Sequence, residues 1–240
     1  MKTGHGKAKV AVIHFNSVDS KAPWGTSLRE NRFNPLFLDE FESCLAEVER
    51  NSGYRGLILT GSGKYFSNGM DTQYISSNIS TASAIQKRVE LVMSRILKLP
   101  LVTVSLVNGH CTAAGAILSL CTDFRVMTER GLFFTPAVNL GIVYSQGFIE
   151  VVKSKVADPV LLRDILLLSH RFSSDDLLRL NLIDKKVPSI EAGFETIDDI
   201  VRNHPAFVGP CLGEVRTRMY KCAIEALESQ TESDMWWSKL

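Results

Sequence analysis

Two apolar rhythms divide this chain. In the first half, runs such as Leu57-Ile58-Leu59 and Leu101 to Val107 are apolar almost without interruption, and a glycine follows each within a few residues. Short runs bounded by turn residues predict strands buried on both faces. Lys9 to Phe15 alternates apolar and polar positions and predicts a first strand. Elsewhere the period is helical. Asn34 followed by Pro35 predicts a helix start, a capping side chain with proline at the first helical position. Leu38, Phe41, Leu45 and Val48 follow at helical spacing, and Gly53 closes the segment. Thr81 to Leu99 predicts a second amphipathic helix that ends before Pro100.

Beyond Leu120 the pattern predicts strands at Phe124 to Met127 and Leu132 to Phe134. Helices are expected from near Ser145, from Asp158-Pro159 to Leu168, and after a Ser173–Asp176 capping box. Strands thus dominate the first half and helices the second. No linker, repeat or low-complexity segment interrupts them, so one domain over 1–240 is expected. The polar stretch from Asn16 to Phe33 is longer than most loops of a compact domain, which often signals function.

Two glycine turns carry the chemistry. Phe66-Ser67-Asn68-Gly69-Met70-Asp71 follows the strand at Leu57 to Thr60, and Asn108-Gly109-His110-Cys111-Thr112-Ala113-Ala114-Gly115 follows the strand at Leu101 to Val107. A strand, a tight turn and a helix start leave backbone N–H groups unpaired beyond the strand end. Two such amides converging on one carbonyl oxygen would stabilise negative charge as it develops.

On these turns the sequence resembles the crotonase (enoyl-CoA hydratase/isomerase) superfamily, and more narrowly its peroxisomal Δ3,Δ2-enoyl-CoA isomerases. The resemblance implies an α/β fold, a crotonase-like spiral of ββα units over 1–190 with C-terminal helices over 191–229. It implies an acyl-CoA substrate whose thioester oxygen is held by the amides of Asn68 and Ala114. Phe66, Ser67, Gly69, Met70 and Asp71 of the first turn, and Gly115 of the second, would border that substrate. Asp71 also reads as the cap of the next helix, and His110 as a hydrogen-bonded structural residue. Arg32, with Arg29 behind it, stands where the family carries a basic residue for the CoA phosphates. Coenzyme A would belong to the substrate; no other cofactor and no metal is implied. By the same analogy the protein would assemble as a homotrimer or a pair of trimers.

The departures from the family pattern matter as much. Its hydratases add water with two glutamates, and the matching positions here are Ile117 and Ala137. An apolar side chain can neither take a proton nor orient water. Asn139-Leu140-Gly141 matches a sequence after which some peroxisomal isomerases place their glutamate, yet Ser145 occupies that position. Glu150, the nearest carboxylate, is the candidate base; alternatively it is a surface residue paired with Lys153. Two rival readings stand beside isomerisation. One is another acyl-CoA reaction, thioester hydrolysis or decarboxylation; the other is acyl-CoA binding without turnover.

Composition narrows the partners. A net charge of +1 supplies no field for nucleic acid or an anionic membrane. Five dispersed cysteines without a CxxC pair fit reduced thiols better than a disulfide framework or zinc site. No apolar stretch reaches membrane-spanning length, and no apolar signal-peptide core is read at the N-terminus. The chain ends in Ser238-Lys239-Leu240, the tripeptide read by the peroxisomal import receptor. Residues 230–240 are therefore expected to be an accessible tail addressing the protein to peroxisomes or a related organelle.

Overall fold

The structure, a computed structural model, describes residues 9–17, 20–21, 27–203 and 209–229. Residues 230–240, where the tail and the tripeptide Ser238-Lys239-Leu240 are expected, lie outside them. The chain runs β1 (Val10–Phe15), β2 (Ser20–Lys21), β3 (Ser27–Leu28), α1 (Pro35–Arg50), β4 (Gly56–Gly61), β5 (Tyr65–Ser67), α2 (Thr72–Ser77), α3 (Ala82–Lys98), β6 (Val102–Val107), β7 (His110–Thr112) and α4 (Ala114–Leu120). It continues through β8 (Phe124–Thr128), β9 (Phe133–Phe134), α5 (Gln146–Lys155), α6 (Pro159–Leu166), α7 (Ser174–Arg179), β10 (Lys185–Val187), α8 (Ile190–Asn203), α9 (Pro210–Met219) and α10 (Lys221–Glu228).

Three times the chain lays one strand in a large sheet, one in a small sheet, and then turns into helix: β4–β5, β6–β7 and β8–β9. The large sheet is parallel in the order β1-β4-β6-β8-β10, and the small one is parallel in the order β5-β7-β9. This is the expected α/β spiral of ββα units. Every residue of β4 and β6 is buried, as a parallel sheet covered on both faces requires. One face meets the main core, where Leu57, Leu59 and Val107 join apolar residues of α1, α3, α4 and α5. The other face packs Ile58, Val104, Leu106 and Val126 under Ile197 and Val201 of α8.

Local chemistry sets the helix boundaries. Asn34 accepts from the Phe37 amide with Pro35 behind it, Asp158 accepts from Val160, and Ser173 and Asp176 form the reciprocal capping box. The C-terminal helices close over α3 and α5. Arg216 of α9, 1 % exposed, donates to the carbonyls of Leu99, Leu101 and Ile96 at 2.9, 2.9 and 3.2 Å. Its guanidinium thereby satisfies carbonyls at and just beyond the end of α3, of which that of Ile96 also accepts from the Leu99 amide. Among the described residues no helix is long and apolar enough to cross a membrane.

Candidate functional site

The small sheet brings the two glycine turns together. β5 and β7 pair in parallel, Tyr65 with His110 and Ser67 with Cys111, so the turns leave the sheet side by side. Asn108 supports both: its Oδ1 accepts from the Gly61 amide at 2.9 Å, while its Nδ2 donates to the carbonyls of Gly63 and Tyr65. Gly69 has φ +78°, and a Cβ there would meet Ala113 Cβ and Ala114 N at 2.8 Å. Only glycine allows this approach. Across the gap Ala113 holds φ +51° and ψ −131°, a conformation that side-chain-bearing residues rarely adopt. It is the residue immediately before α4.

Together the turns wall a cavity of about 200 Å³. Asn68, Met70, Thr112, Ala113 and Ala114 form one side. Ile117, Phe134, Ala137, Ile142 and Phe148 make much of the rest apolar. The backbone amides of Met70 and Ala114 have no acceptor among the described residues. At Asn68 the structure corrects the sequence reading. Its amide donates to the Glu30 carbonyl at 2.8 Å, so it is already engaged. The acceptor-free amide of the first turn belongs to Met70, two residues later.

Arg32 also lines the cavity, but not as a lone cation. Its Nε donates to Glu30 Oε2, and its Nη1 lies 3.7 Å from Asp71 Oδ1. Two carboxylates thus offset its charge. Glu30 Oε2 further accepts from Asn68 Nδ2 at 3.3 Å, and Asn68 Oδ1 accepts from the Thr112 hydroxyl at 2.5 Å. Arg29 is exposed and donates to Asn16 Oδ1.

The other residues expected to border substrate stand behind the wall. Phe66 is fully buried against Phe15. Ser67 donates to the Asn31 carbonyl and accepts from the Gly69 amide, shaping the turn from inside. Gly115 packs so close to Ser67 that a Cβ would come within 2.7 Å of its side chain and carbonyl. Asp71 caps α2 by accepting from the Tyr74 amide.

Glu150 is not on the wall. Its Oε1 accepts from Lys153 Nζ at 2.6 Å and Gln146 Nε2 at 2.8 Å. The cavity-facing residue of that helix is Phe148, and two further residues turn the chain about 200° around the axis. Ile117 and Ala137 do line the cavity, so the places of the two family glutamates present only hydrocarbon to it. Of the described lining residues, Arg32 and Tyr144 alone carry a basic or an acidic side chain. Burial raises the Tyr144 pKa, and its hydroxyl donates to the Thr135 carbonyl at 2.9 Å. It is a neutral phenol at pH 7. His110 faces elsewhere: its Nδ1 accepts from the Leu132 amide, and burial, then Lys64, lower its pKa.

Two features of the site carried no sequence signal that we read. Asn31, at φ +52°, ties the incoming loop to the first turn through the carbonyls of Tyr65 and Phe66. Gln86 of α3 also faces the cavity; its helical spacing alone would have marked it as part of the buried stripe.

Comparison with known proteins agrees with this architecture. The model of the enoyl-CoA hydratase/isomerase family matches residues 25–204. Peroxisomal enoyl-CoA delta isomerase 1 of Arabidopsis thaliana is 27 % identical over 180 residues, 72 % of this chain and 75 % of that protein. Peroxisomal enoyl-CoA delta isomerase 2 of the same plant is 31 % identical over 173 residues, covering 68 % and 72 %. A crystal structure of a probable enoyl-CoA hydratase from Mycobacterium tuberculosis superposes with a TM-score of 0.78 at 20 % identity, covering 91 % of this chain and 87 % of that one. The fold is crotonase-like, and the chain belongs to the enoyl-CoA hydratase/isomerase family.

Proposed function

We propose that this protein processes acyl-CoA thioesters by stabilising a thioester enolate, and that its reaction is Δ3-to-Δ2 enoyl-CoA isomerisation in fatty-acid β-oxidation. One observation carries the reading: two backbone amides without acceptors among the described residues, those of Met70 and Ala114, border one cavity with a largely apolar wall. An apolar cavity suits an acyl chain. Paired N–H donors suit an oxygen that gains charge in the transition state more than in the ground state. In isomerisation a base takes the C2 proton of a 3-enoyl-CoA, the charge spreads onto the thioester oxygen and along the dienolate, and the conjugate acid of that base returns the proton at C4. The named isomerases of Arabidopsis support this branch of the family. The chemistry is proton transfer and asks for no cofactor beyond the CoA of the substrate.

Decarboxylation is the second reading, and the wall itself favours it. No described lining residue is a carboxylate. Loss of CO2 from a carboxyacyl-CoA leaves the bonding electron pair on C2, so the same enolate forms without a base. A phenol such as Tyr144 or a water then returns one proton to C2. Rat ethylmalonyl-CoA decarboxylase is 29 % identical over 173 residues, 69 % of this chain and 56 % of that protein. Product analysis with a 3-enoyl-CoA, a 2-enoyl-CoA and an α-carboxyacyl-CoA separates the readings. A 2-enoyl product from the first substrate alone supports isomerisation, and CO2 from the third supports decarboxylation. Tight binding with no turnover of any of them leaves a non-catalytic acyl-CoA-binding protein.

Import into peroxisomes through their receptor belongs to the same proposal: it reads Ser238-Lys239-Leu240 as an address, and the peroxisomal relatives support it. A trimer or pair of trimers follows by family analogy.

A further inference from the structure

We propose that the molecule carries a second binding site, for a phosphate-bearing small molecule, in a recess beside the starts of β5 and β7. The cavity between the glycine turns lies beyond the other ends of these strands, and the two share no described lining residue. The recess has a volume of about 590 Å³, within the range of small-molecule sites. Strands β4, β6, β8 and β10 are neighbours in the large parallel sheet, and residues at or just beyond the carboxyl end of each line the recess. Open α/β sheets take their ligands in crevices at such strand ends. Two glycines let the loops close up there. A Cβ on Gly109 would collide with the Lys64 carbonyl, and one on Gly131, at φ +126°, with the Gly109 carbonyl.

The lining is cationic. Lys64 and Arg130 both border the recess, and neither side chain has a hydrogen bond or an ion pair among the described residues. His110 stands with them. Its Nδ1 accepts from the Leu132 amide at 3.1 Å, so the neutral ring carries its proton on Nε2. That N–H has no acceptor among the described residues. The Lys64 charge reaches the ring, since after burial it is what lowers the His110 pKa. Glu191 is the one acidic residue of the described lining. Its own amide, then the Ser189 hydroxyl, hold it below the ordinary carboxylate range, so it caps the start of α8 and pairs with neither cation.

On a convex surface an exposed lysine or arginine is simply hydrated. In a recess, low-dielectric walls concentrate the field of cations that no carboxylate offsets. A guanidinium, an ammonium and an imidazole N–H together match the several oxygens and the multiple charge of a phosphoryl group. A carboxylate, with two oxygens and one charge, would leave part of this donor set unused. The volume exceeds that of a lone phosphate, which leaves room for the body of a small molecule bearing it.

Pyrophosphate is the probe, titrated into the whole protein at constant ionic strength while the His110 ring is followed by NMR. Saturable binding at one site is expected. The His110 pKa should rise as the site fills, because an anion beside the ring favours its charged form. Lys64→Ala and Arg130→Ala should each weaken binding about fivefold, and together at least about tenfold. Both side chains are exposed, so the melting temperature should not move. An equal response to chloride at the same ionic strength, or an affinity that survives both substitutions, overturns the inference. Displacement of pyrophosphate by butyryl-CoA, with Lys64→Ala weakening both, would assign the recess to the phosphates of CoA and remove the second site. Failure of the acyl-CoA reading leaves this site standing, because its test uses no thioester turnover.

Discussion

The Thr112 hydroxyl donates to Asn68 Oδ1 at 2.5 Å, lacing the second glycine turn to the first by a side-chain bond. The turns also meet through backbone, because the Cα of Gly69 sits where a Cβ would touch Ala114 N. Spacing between the Met70 and Ala114 amides is therefore set locally, by a handful of contacts that mutation can reach.

Ala114 is the first residue of α4, a position that tolerates proline. Ala114→Pro should delete one N–H while sparing the helix. If that amide holds an enolate, turnover should fall on the order of a hundredfold or more, with a smaller change in acyl-CoA affinity. Gly69→Val should lose turnover too, but with a lowered melting temperature, since it clashes at φ +78°. Steady-state kinetics beside calorimetric affinity checks both. Equal losses of binding and turnover after Ala114→Pro would reduce the turn to a shaping role.

Glu150→Gln should leave turnover within about twofold of wild type and stability within about half a kcal/mol, because Glu150 forms an i, i+3 surface pair with Lys153 and stands off the wall. A near-complete loss of turnover with intact affinity would make Glu150 the base after all.

Lys155 predicts an alkaline response. Burial, then the Arg125 charge, lower its pKa from 10.5 to about 8. Its Nζ donates to the Tyr220 hydroxyl at 2.6 Å and the Thr122 carbonyl at 3.3 Å. Between about pH 8 and 10.5 the unfolded chain still holds this proton and the folded chain has released it, so this group makes stability rise with pH across that window. Relative to Lys155→Met, the wild type should gain on the order of 2 to 3 kcal/mol there, read from urea midpoints at several pH values. Cys111 and Cys121, both pushed up to about 12 by burial, pull the other way above their ordinary pKa of 9.0. Both cysteines are present in both chains, so the comparison cancels the Cys111 contribution and leaves that of Lys155 with its charge coupling to Cys121. A flat difference would show Lys155 charged throughout.

Arg216→Met should cost about 3 kcal/mol or more, because it strips buried carbonyls of their donor. Arg216→Lys should recover little of this, since an ammonium cannot span the same fork. Thermal denaturation of the two variants decides it; a full rescue by lysine would mean that charge alone matters.

A reporter carrying the C-terminal residues through Leu240 should enter peroxisomes, and the same reporter lacking Leu240 should stay in the cytosol. Fluorescence microscopy in a eukaryotic cell reads the outcome directly. Import of both forms would discard the address.

Much of this fold was legible in the sequence because its signals are local. The cap at Asn34-Pro35, the box at Ser173–Asp176 and the glycine of the first turn each depend on neighbours a few residues away. The sequence misled where a distant segment intervenes. Asn68 reads as a free turn amide until the loop before α1 brings the Glu30 carbonyl to it. Gly115 reads as space for a ligand until Ser67 fills that space. Gln86 escaped notice because a polar residue on a buried helical stripe shows its place on the cavity wall only once the cavity exists. The two-residue strands β2 and β3 are too short for any periodicity to announce.

Arg216 has a further bearing on how the molecule is made. The carbonyls of Ile96, Leu99 and Leu101 wait 115 to 120 residues for their guanidinium. On the ribosome, the end of α3 and the start of β6 thus emerge long before the group that completes them. The spiral can wind as it is synthesised, but its centre is sealed only when the helices at the far end of the chain arrive.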